Sequence, residues 1–157
     1  MPHDLLVEEL QRAREDFLAT LSRVAPDSLT TAGLVGEWSA RELVAHLGYW
    51  VGNAAEVIHL VEQGRTDEVG AGKPPTDEVN ATVARIARTT ELVTVRKREE
   101  ASVEALLDRI RALDPSLLDV VLPDGATLAQ GIREDGSEHY REHADALRQA
   151  LDEAPHG

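Results

Sequence analysis

Apolar residues recur at spacings of three and four along most of this chain, which is the pattern of amphipathic helices. The first helix is predicted over roughly Asp4 to Val24, where apolar side chains at these spacings alternate with charged ones. It should end at Ala25, because Pro26 disfavours the helical conformation in the residue before it. The chain therefore begins with a helix that has one apolar face.

The second helix is predicted to begin directly after Ser39. Ser39 and Glu42 have the spacing of a capping box, and Trp38 before the cap can pack on Leu43 as a hydrophobic staple. The helix should end near Gln63-Gly64. Its predicted apolar stripe consists of Leu43, Leu47, Trp50, Ala54, Val57, Ile58 and Val61.

A long loop, Arg65 to Thr76, is predicted after the second helix. Its glycines and its pair of prolines exclude regular structure, so it forms either the rim of a pocket or a plain connection. Helical spacing then resumes and continues to Leu113. A cluster of β-branched residues between Arg88 and Val95 weakens the helical pattern, so we predict one long helix, with a break at this cluster as the alternative.

The last part of the chain is predicted to hold one more helix. The apolar run from Leu117 to Leu122 fits either a short strand-like segment or a packed loop. Thr127 and Gln130 again have capping-box spacing, and the helix that they begin should run to about Leu151. Its predicted core-facing stripe consists of Leu128, Ile132, His139, His143, Ala146 and Ala150.

Four amphipathic helices joined by short links and one longer loop predict an all-α fold, an antiparallel four-helix bundle with the long loop after the second helix. The composition agrees, because aromatic residues make up only 3% of the chain and aliphatic residues with alanine must supply the core. At 157 residues the chain is expected to form a single domain, residues 1–157.

The formal charge of -13 argues against nucleic acids and anionic membrane surfaces as partners, because a polyanion is repelled on average. The chain has no cysteine, which excludes disulfides and thiolate ligands. No signal peptide or membrane span can be recognised, so a cytoplasmic location is expected.

His139 and His143 are the residues most suggestive of chemistry. Four residues apart on a helix, their side chains differ by about 40° in direction and can converge on one point. Two interpretations remain open: the histidines are core residues held by hydrogen bonds, or they share a metal ion. A shared cation would satisfy several buried ring nitrogens in one step.

A third ligand is sought on the second helix, where His46 lies at the edge of the apolar stripe. Asn53 is about 20° from His46 on the helical wheel, and Tyr49 and Trp50 flank it. These three residues are the candidates for lining a pocket, a polar notch with aromatic walls. His46 could equally lie on the helix boundary and face water.

Other acidic and histidine side chains are weaker candidates. Glu42 fits better as a helix cap, Glu142 fits better as a solvated flank, and Asp135 is marginal. The remaining histidines, His3, His59 and His156, are terminal or point away. If three neutral imidazoles bind a divalent ion, open positions remain for water or for a thiol, which must come from outside this cysteine-free chain.

Two segments carry a resemblance to a known family. The sequence GEWSARELVAHL from Gly36 to Leu47 resembles the second-helix signature of the DinB superfamily, and HYREH from His139 to His143 resembles its last-helix HxxxH motif. Together the segments span nearly the whole chain. The resemblance implies a four-helix bundle with a divalent metal, often zinc or nickel, held by His46, His139 and His143.

The resemblance also implies an activity class. The superfamily includes thiol S-transferases and isomerases that use mycothiol or bacillithiol, a branch that inactivates a toxin, and members that have lost the metal. It also includes the N-terminal domain of mycothiol-dependent maleylpyruvate isomerases. Those enzymes carry a further domain for which 157 residues leave no room, so their exact activity is not expected here. Homodimers are common in the family, although no stripe in this sequence marks an interface.

The sequence therefore predicts a metal-dependent transferase or isomerase that acts on a small electrophile with a low-molecular-weight thiol. Two alternatives remain open at this stage. One is a metal-dependent hydrolase or self-resistance protein that consumes a reactive metabolite. The other is a non-catalytic, stress-related bundle with structural histidines.

Overall fold

A computed structural model describes residues 2–153, and within them the chain forms six α-helices. The helices are α1 (Pro2–Leu21), α2 (Ala40–Glu62), α3 (Thr76–Arg88), α4 (Leu92–Ala112), α5 (Leu128–Asp135) and α6 (Ser137–Glu153). Short 3-10 turns lie at Pro26–Ser28, Thr66–Glu68 and Pro115–Asp119. None of the helices in this part of the chain is long and apolar enough to cross a membrane.

The helices pack as the predicted all-α antiparallel bundle, which is confirmed. α2 packs mainly on α4, and α1 packs mainly on α6, with α5 between α2 and α6. α3 is an addition to the bundle and lies along α2. The last helices are thereby brought beside α2, although some eighty residues separate them in sequence.

The start of the second helix is confirmed at the predicted boundary. The Ser39 Oγ accepts a hydrogen bond from the Glu42 backbone N–H at 3.3 Å, and the Glu42 carboxylate accepts one from the Ser39 N–H at 3.2 Å. The predicted stripe needs one correction: Val51 is fully buried, whereas Trp50 is half-buried and lies at the surface of the bundle. Trp50 is therefore free to line a cavity.

Of the two options for the third helix, the break is the one observed, at residues 89–91 between α3 and α4. The Thr90 hydroxyl donates to the Ile86 carbonyl at 2.7 Å, and the Thr89 hydroxyl donates to the same oxygen at 3.3 Å. Such side-chain bonds offer the backbone an alternative to the helical ladder. The apolar run before the last helices begins in the 3-10 turn Pro115–Asp119 and continues as a loop, in which Val121 forms an isolated antiparallel bridge with Thr127. Leu118 and Leu122 of this run are buried.

The single long last helix is the prediction that proves wrong, because Gly136 divides it into α5 and α6. A Cβ at Gly136 would lie 2.7 Å from the Ile132 carbonyl oxygen, so the chain approaches itself too closely for any other residue. The break changes the phase of the helix. The buried face of α6 consists of Ser137, Tyr140, Ala144 and Leu147. His139 and His143, predicted on the core-facing stripe, lie instead on its half-buried flank.

A buried ionic network fixes α6 against two other helices. The Arg14 guanidinium donates two hydrogen bonds to the Glu99 carboxylate, at 2.7 and 2.9 Å, and the Tyr140 hydroxyl donates a third at 2.5 Å. Burial, with the adjacent Glu99, raises the pKa of Tyr140 well above its ordinary value. These residues join α1, α4 and α6, and Tyr140 directly follows His139.

We expect Glu99→Gln to lower the free energy of unfolding by about 2 kcal/mol, because it removes the charge that compensates the part-buried Arg14. Urea denaturation at neutral pH measures the change. Glu104→Gln, an exposed position on the same helix, should change the stability by less than about 0.5 kcal/mol. Equal effects of the two substitutions would contradict a stabilising role for the network.

Candidate metal centre

Three histidines meet at one point between α2 and α6. One ring nitrogen each of His46, His139 and His143 can be chosen so that all three lie within 4.8 Å of one another. The ring centroids are 4.7 to 4.9 Å apart, and the Nε2 atoms of His46 and His139 are separated by 2.8 Å. The structure thus brings together the three residues that the sequence singled out.

The capped start of α2 fixes the position of His46. Glu42, one turn before it, is occupied on both oxygens: one caps the helix at Ser39, and the other accepts a hydrogen bond from Arg88 at 3.0 Å. The Trp38 ring lies 4.9 Å from the His46 ring, centroid to centroid. Glu42 is therefore a helix cap, as its spacing favoured, and the tryptophan shields one side of His46.

Burial keeps the three imidazoles in the form that binds metals. It lowers the pKa of His46 to about 3, with a further contribution from the neighbouring histidines. It lowers the pKa of His139 to about 4, helped by His143 and opposed by the backbone of Asp135. The pKa of His143 is also lowered by burial. All three rings are neutral at neutral pH, as metal ligands must be.

The ring nitrogens of the three histidines do not all have hydrogen-bond partners, as is expected of imidazoles that bind a cation. Two Nε2 atoms face each other at 2.8 Å, and one proton at most can lie between them. Nδ1 of His46 is buried and finds no hydrogen-bond partner among residues 2–153. Buried polar atoms are rarely left in this state. A cation shared by the three rings would take up lone pairs that no protein donor reaches, and imidazoles suit ions such as zinc or nickel.

The rings open onto a cavity of about 520 Å³ that has both aromatic and polar walls. Besides the histidines, its lining includes Trp38, Trp50, Thr76, Asn80, Asp135 and Glu142. The Trp50 indole N–H donates to the Asn80 side-chain oxygen at 2.8 Å, which fixes the ring. Sequence reasoning missed Thr76 and Asn80, whose only signal was two polar residues one turn apart at the start of α3.

The three predicted pocket residues are divided between two neighbouring cavities. Trp50 lines the histidine cavity, as well as an adjoining one of about 320 Å³. Asn53 and Tyr49 line only the adjoining cavity of these two. The Asn53 amide donates to the Asp135 carboxylate at 3.0 Å, and Asp135 lines both cavities. The predicted notch is therefore a pair of cavities with Trp50 and Asp135 in common.

Two weaker candidates, Asp135 and Glu142, line the histidine cavity but do not belong to the three-histidine group. Burial raises the pKa of Asp135 to about 6, while the hydrogen bond from Asn53 opposes the rise. Glu142 is exposed at the mouth of the cavity. His59 is in the last turn of α2, and His156 falls outside the described residues.

We expect acid to destabilise the metal-free chain through His46. The pKa of this residue is about 3 when folded against 6.5 ordinarily, so between these values the unfolded chain binds more protons. The contribution of His46 is fully present above about pH 6.5 and is lost as the pH falls. In EDTA, the free energy of unfolding of the unsubstituted protein should fall more steeply with decreasing pH than that of His46→Gln. The two slopes should differ by about 1 kcal/mol per pH unit between pH 6 and 4. Urea titrations at several pH values test this, and parallel slopes would contradict a buried neutral His46.

Known proteins resemble this chain in sequence pattern and in fold. Residues 9–144 match the family model of the DinB superfamily. The crystal structure of a mycothiol-dependent maleylpyruvate isomerase superposes with a TM-score of 0.71 at 18% identity, over 94% of this chain and 61% of that one. A histidine-to-alanine mutant of such an isomerase gives the same TM-score at 17% identity and the same coverage. No curated protein sequence gives a significant match.

The two comparisons differ in what they establish. At these identities the solved structures show a shared fold, and this chain spans about three fifths of their length, 61%. The family match covers most of the chain and includes His46, His139 and His143. This chain belongs to the DinB superfamily.

Proposed function

We propose that the chain is a metal-dependent enzyme in which His46, His139 and His143 hold a divalent ion, zinc or nickel, and that it transfers a thiol to, or isomerises, a small electrophile. The observation that carries the proposal is the convergence of three neutral imidazoles at the wall of a cavity. A divalent ion with three protein ligands keeps an open position and lowers the pKa of a water or thiol bound there.

The surrounding side chains favour chemistry on a small molecule. Trp38 packs on His46 and Trp50 is held by Asn80, so two large rings stay fixed beside the ligand nitrogens. Fixed apolar walls exclude water and limit the orientations of a bound molecule. The cavity of about 520 Å³ falls within the range of small-molecule sites.

One comparison favours an external thiol over water as the nucleophile. Because the chain has no cysteine, such a thiol would come from a small molecule such as mycothiol or bacillithiol. The solved structures of like fold belong to an isomerase described as mycothiol-dependent. Water at the same open position would instead give a hydrolase, and the two activities differ in their need for added thiol.

We expect the protein, purified without an affinity tag, to carry about one divalent ion per chain, and the His139→Ala, His143→Ala double variant to lose it, because one imidazole alone holds such an ion weakly. Elemental analysis by mass spectrometry measures the loading. His59→Ala is the matched control: it removes a half-buried histidine of α2 and should leave the loading unchanged. Unchanged loading in the double variant would refute the proposed ligand set.

We expect model epoxides to be consumed at least about tenfold faster when a low-molecular-weight thiol is added, and only by the metal-loaded protein, because the chain supplies no thiol of its own. Mass spectrometry of the products identifies the thioether. The double histidine variant serves as the blank. Equal turnover without thiol, with a diol as product, would replace the transferase by a hydrolase.

A further inference from the structure

The cavity of about 320 Å³ beside the histidine cavity is a separate chamber with its own chemistry. It lies between α2, α5 and the long loop, residues 63–75. The two cavities share four lining residues, which are Trp50, Thr76, Glu134 and Asp135. A molecule in the second chamber would therefore lie next to the three histidines.

The interior of the second chamber is apolar. Ala54 and Val57 of α2, Ile132 of α5 and Leu122 of the preceding loop line it, and each is at most 9% exposed. Rigid buried walls of this kind gain free energy by covering the hydrocarbon part of a ligand. The size and the walls suit an apolar body of a few carbon atoms.

The charged side chains that line the chamber are mostly acidic. Asp124, Glu134 and Asp135 contribute three carboxylates, and Lys73 is the one basic side chain among the described residues that line it. The Lys73 ammonium donates to the Asn53 side-chain oxygen at 2.6 Å, and Asn53 donates in turn to Asp135 at 3.0 Å. The chain thus already holds one primary ammonium at this point, on an exposed side chain of the long loop.

We propose that this chamber binds a small apolar molecule with a primary amine, whose ammonium group takes the place of the Lys73 ammonium on Asn53 beside Asp135. The hydrocarbon part covers the apolar wall formed by Val57 and Ile132. Lys73 competes with the ligand for the same acceptor. That the bound amine also carries the electrophilic group that reacts at the metal centre rests on the function proposed above, whereas its binding does not.

Charge makes the chamber selective between ligands of the same shape. An ammonium group gains from the carboxylates of Asp124, Glu134 and Asp135, whereas a ligand carboxylate meets three like charges and only one ammonium. An alcohol can still donate a hydrogen bond but gains no net charge interaction. The affinities should therefore fall in the order amine, alcohol, carboxylate.

Calorimetric titration of the purified full-length protein with hexylamine, hexanol and hexanoate at pH 7 tests the order. The three share one hydrocarbon chain and differ only in the head group. We expect hexylamine to bind at least about tenfold more tightly than hexanoate, with hexanol between them. Tighter binding of hexanoate, or no binding of any of the three, would overturn the proposal.

Lys73→Met separates the competing roles of this lysine. If Lys73 competes with the ligand, its loss should tighten hexylamine binding about threefold or more, with a smaller gain for hexanol, which regains the hydrogen-bond acceptor but is relieved of no charge repulsion. Lys97→Met, at the only other lysine of the chain, is exposed on α4 and should have no effect. Weaker hexanoate binding in Lys73→Met, with no gain for hexylamine, would identify an anion site and overturn the proposal.

The same titrations, combined with metal analysis of the unsubstituted protein and of the His139→Ala, His143→Ala variant, distinguish this proposal from the previous one. The variant should keep the preference for hexylamine. Selective hexylamine binding by an unsubstituted protein that carries no metal would overturn the proposed function and leave the amine site standing. Metal loading without the amine preference would do the reverse.

Discussion

The close approach of the chain to itself at Gly136 is the constraint on which the site depends. Because a Cβ here would meet the Ile132 carbonyl oxygen, glycine is the residue that allows the conformation in which the helix that starts at Leu128 ends and α6 begins with a different face turned to the core. On an unbroken helix Tyr140 would point roughly 120° away from Leu128, outside the core face. After the break Tyr140 is fully buried, and His139 and His143 turn towards α2 instead of the centre of the bundle.

Two buried carboxylates hold the helices that carry the histidines, and neither is free to act as a ligand. Glu99 accepts hydrogen bonds from Arg14 and Tyr140, and so connects α6 to α1 and α4 next to His139. Glu42 caps α2 one turn before His46 and accepts a hydrogen bond from Arg88. Because each carboxylate is neutralised by an arginine, the donors left at the meeting point are neutral nitrogens. Removing a partner from either network would move a histidine as well as cost stability.

The sequence predicted the parts of this arrangement that depend on residues close together in the chain. The cap at Ser39 follows from residues three apart, and the pair His139 and His143 follows from residues four apart. The capped second helix then supplied His46 as a candidate third member, and the resemblance to the family joined the three. The buried face of the last helix could not be predicted, because a helical wheel assumes one continuous helix and the chain breaks at Gly136. The link from Asn53 to Asp135 joins residues 82 positions apart, and no local pattern encodes it.

The histidine cluster and the adjoining chamber differ in charge, although they lie side by side. At the histidines, burial and mutual proximity suppress protonation, so the cluster offers lone pairs and no net charge of its own. In the adjoining chamber, carboxylates outnumber the single ammonium, in a chain whose total charge is -13. A cation approaching either cavity is favoured by the field of the whole protein, and an anionic molecule is opposed by it. Binding of the proposed metal and of the proposed amine would therefore draw on the same excess of acidic residues, while different side chains, imidazoles in one case and carboxylates in the other, would make the final contacts.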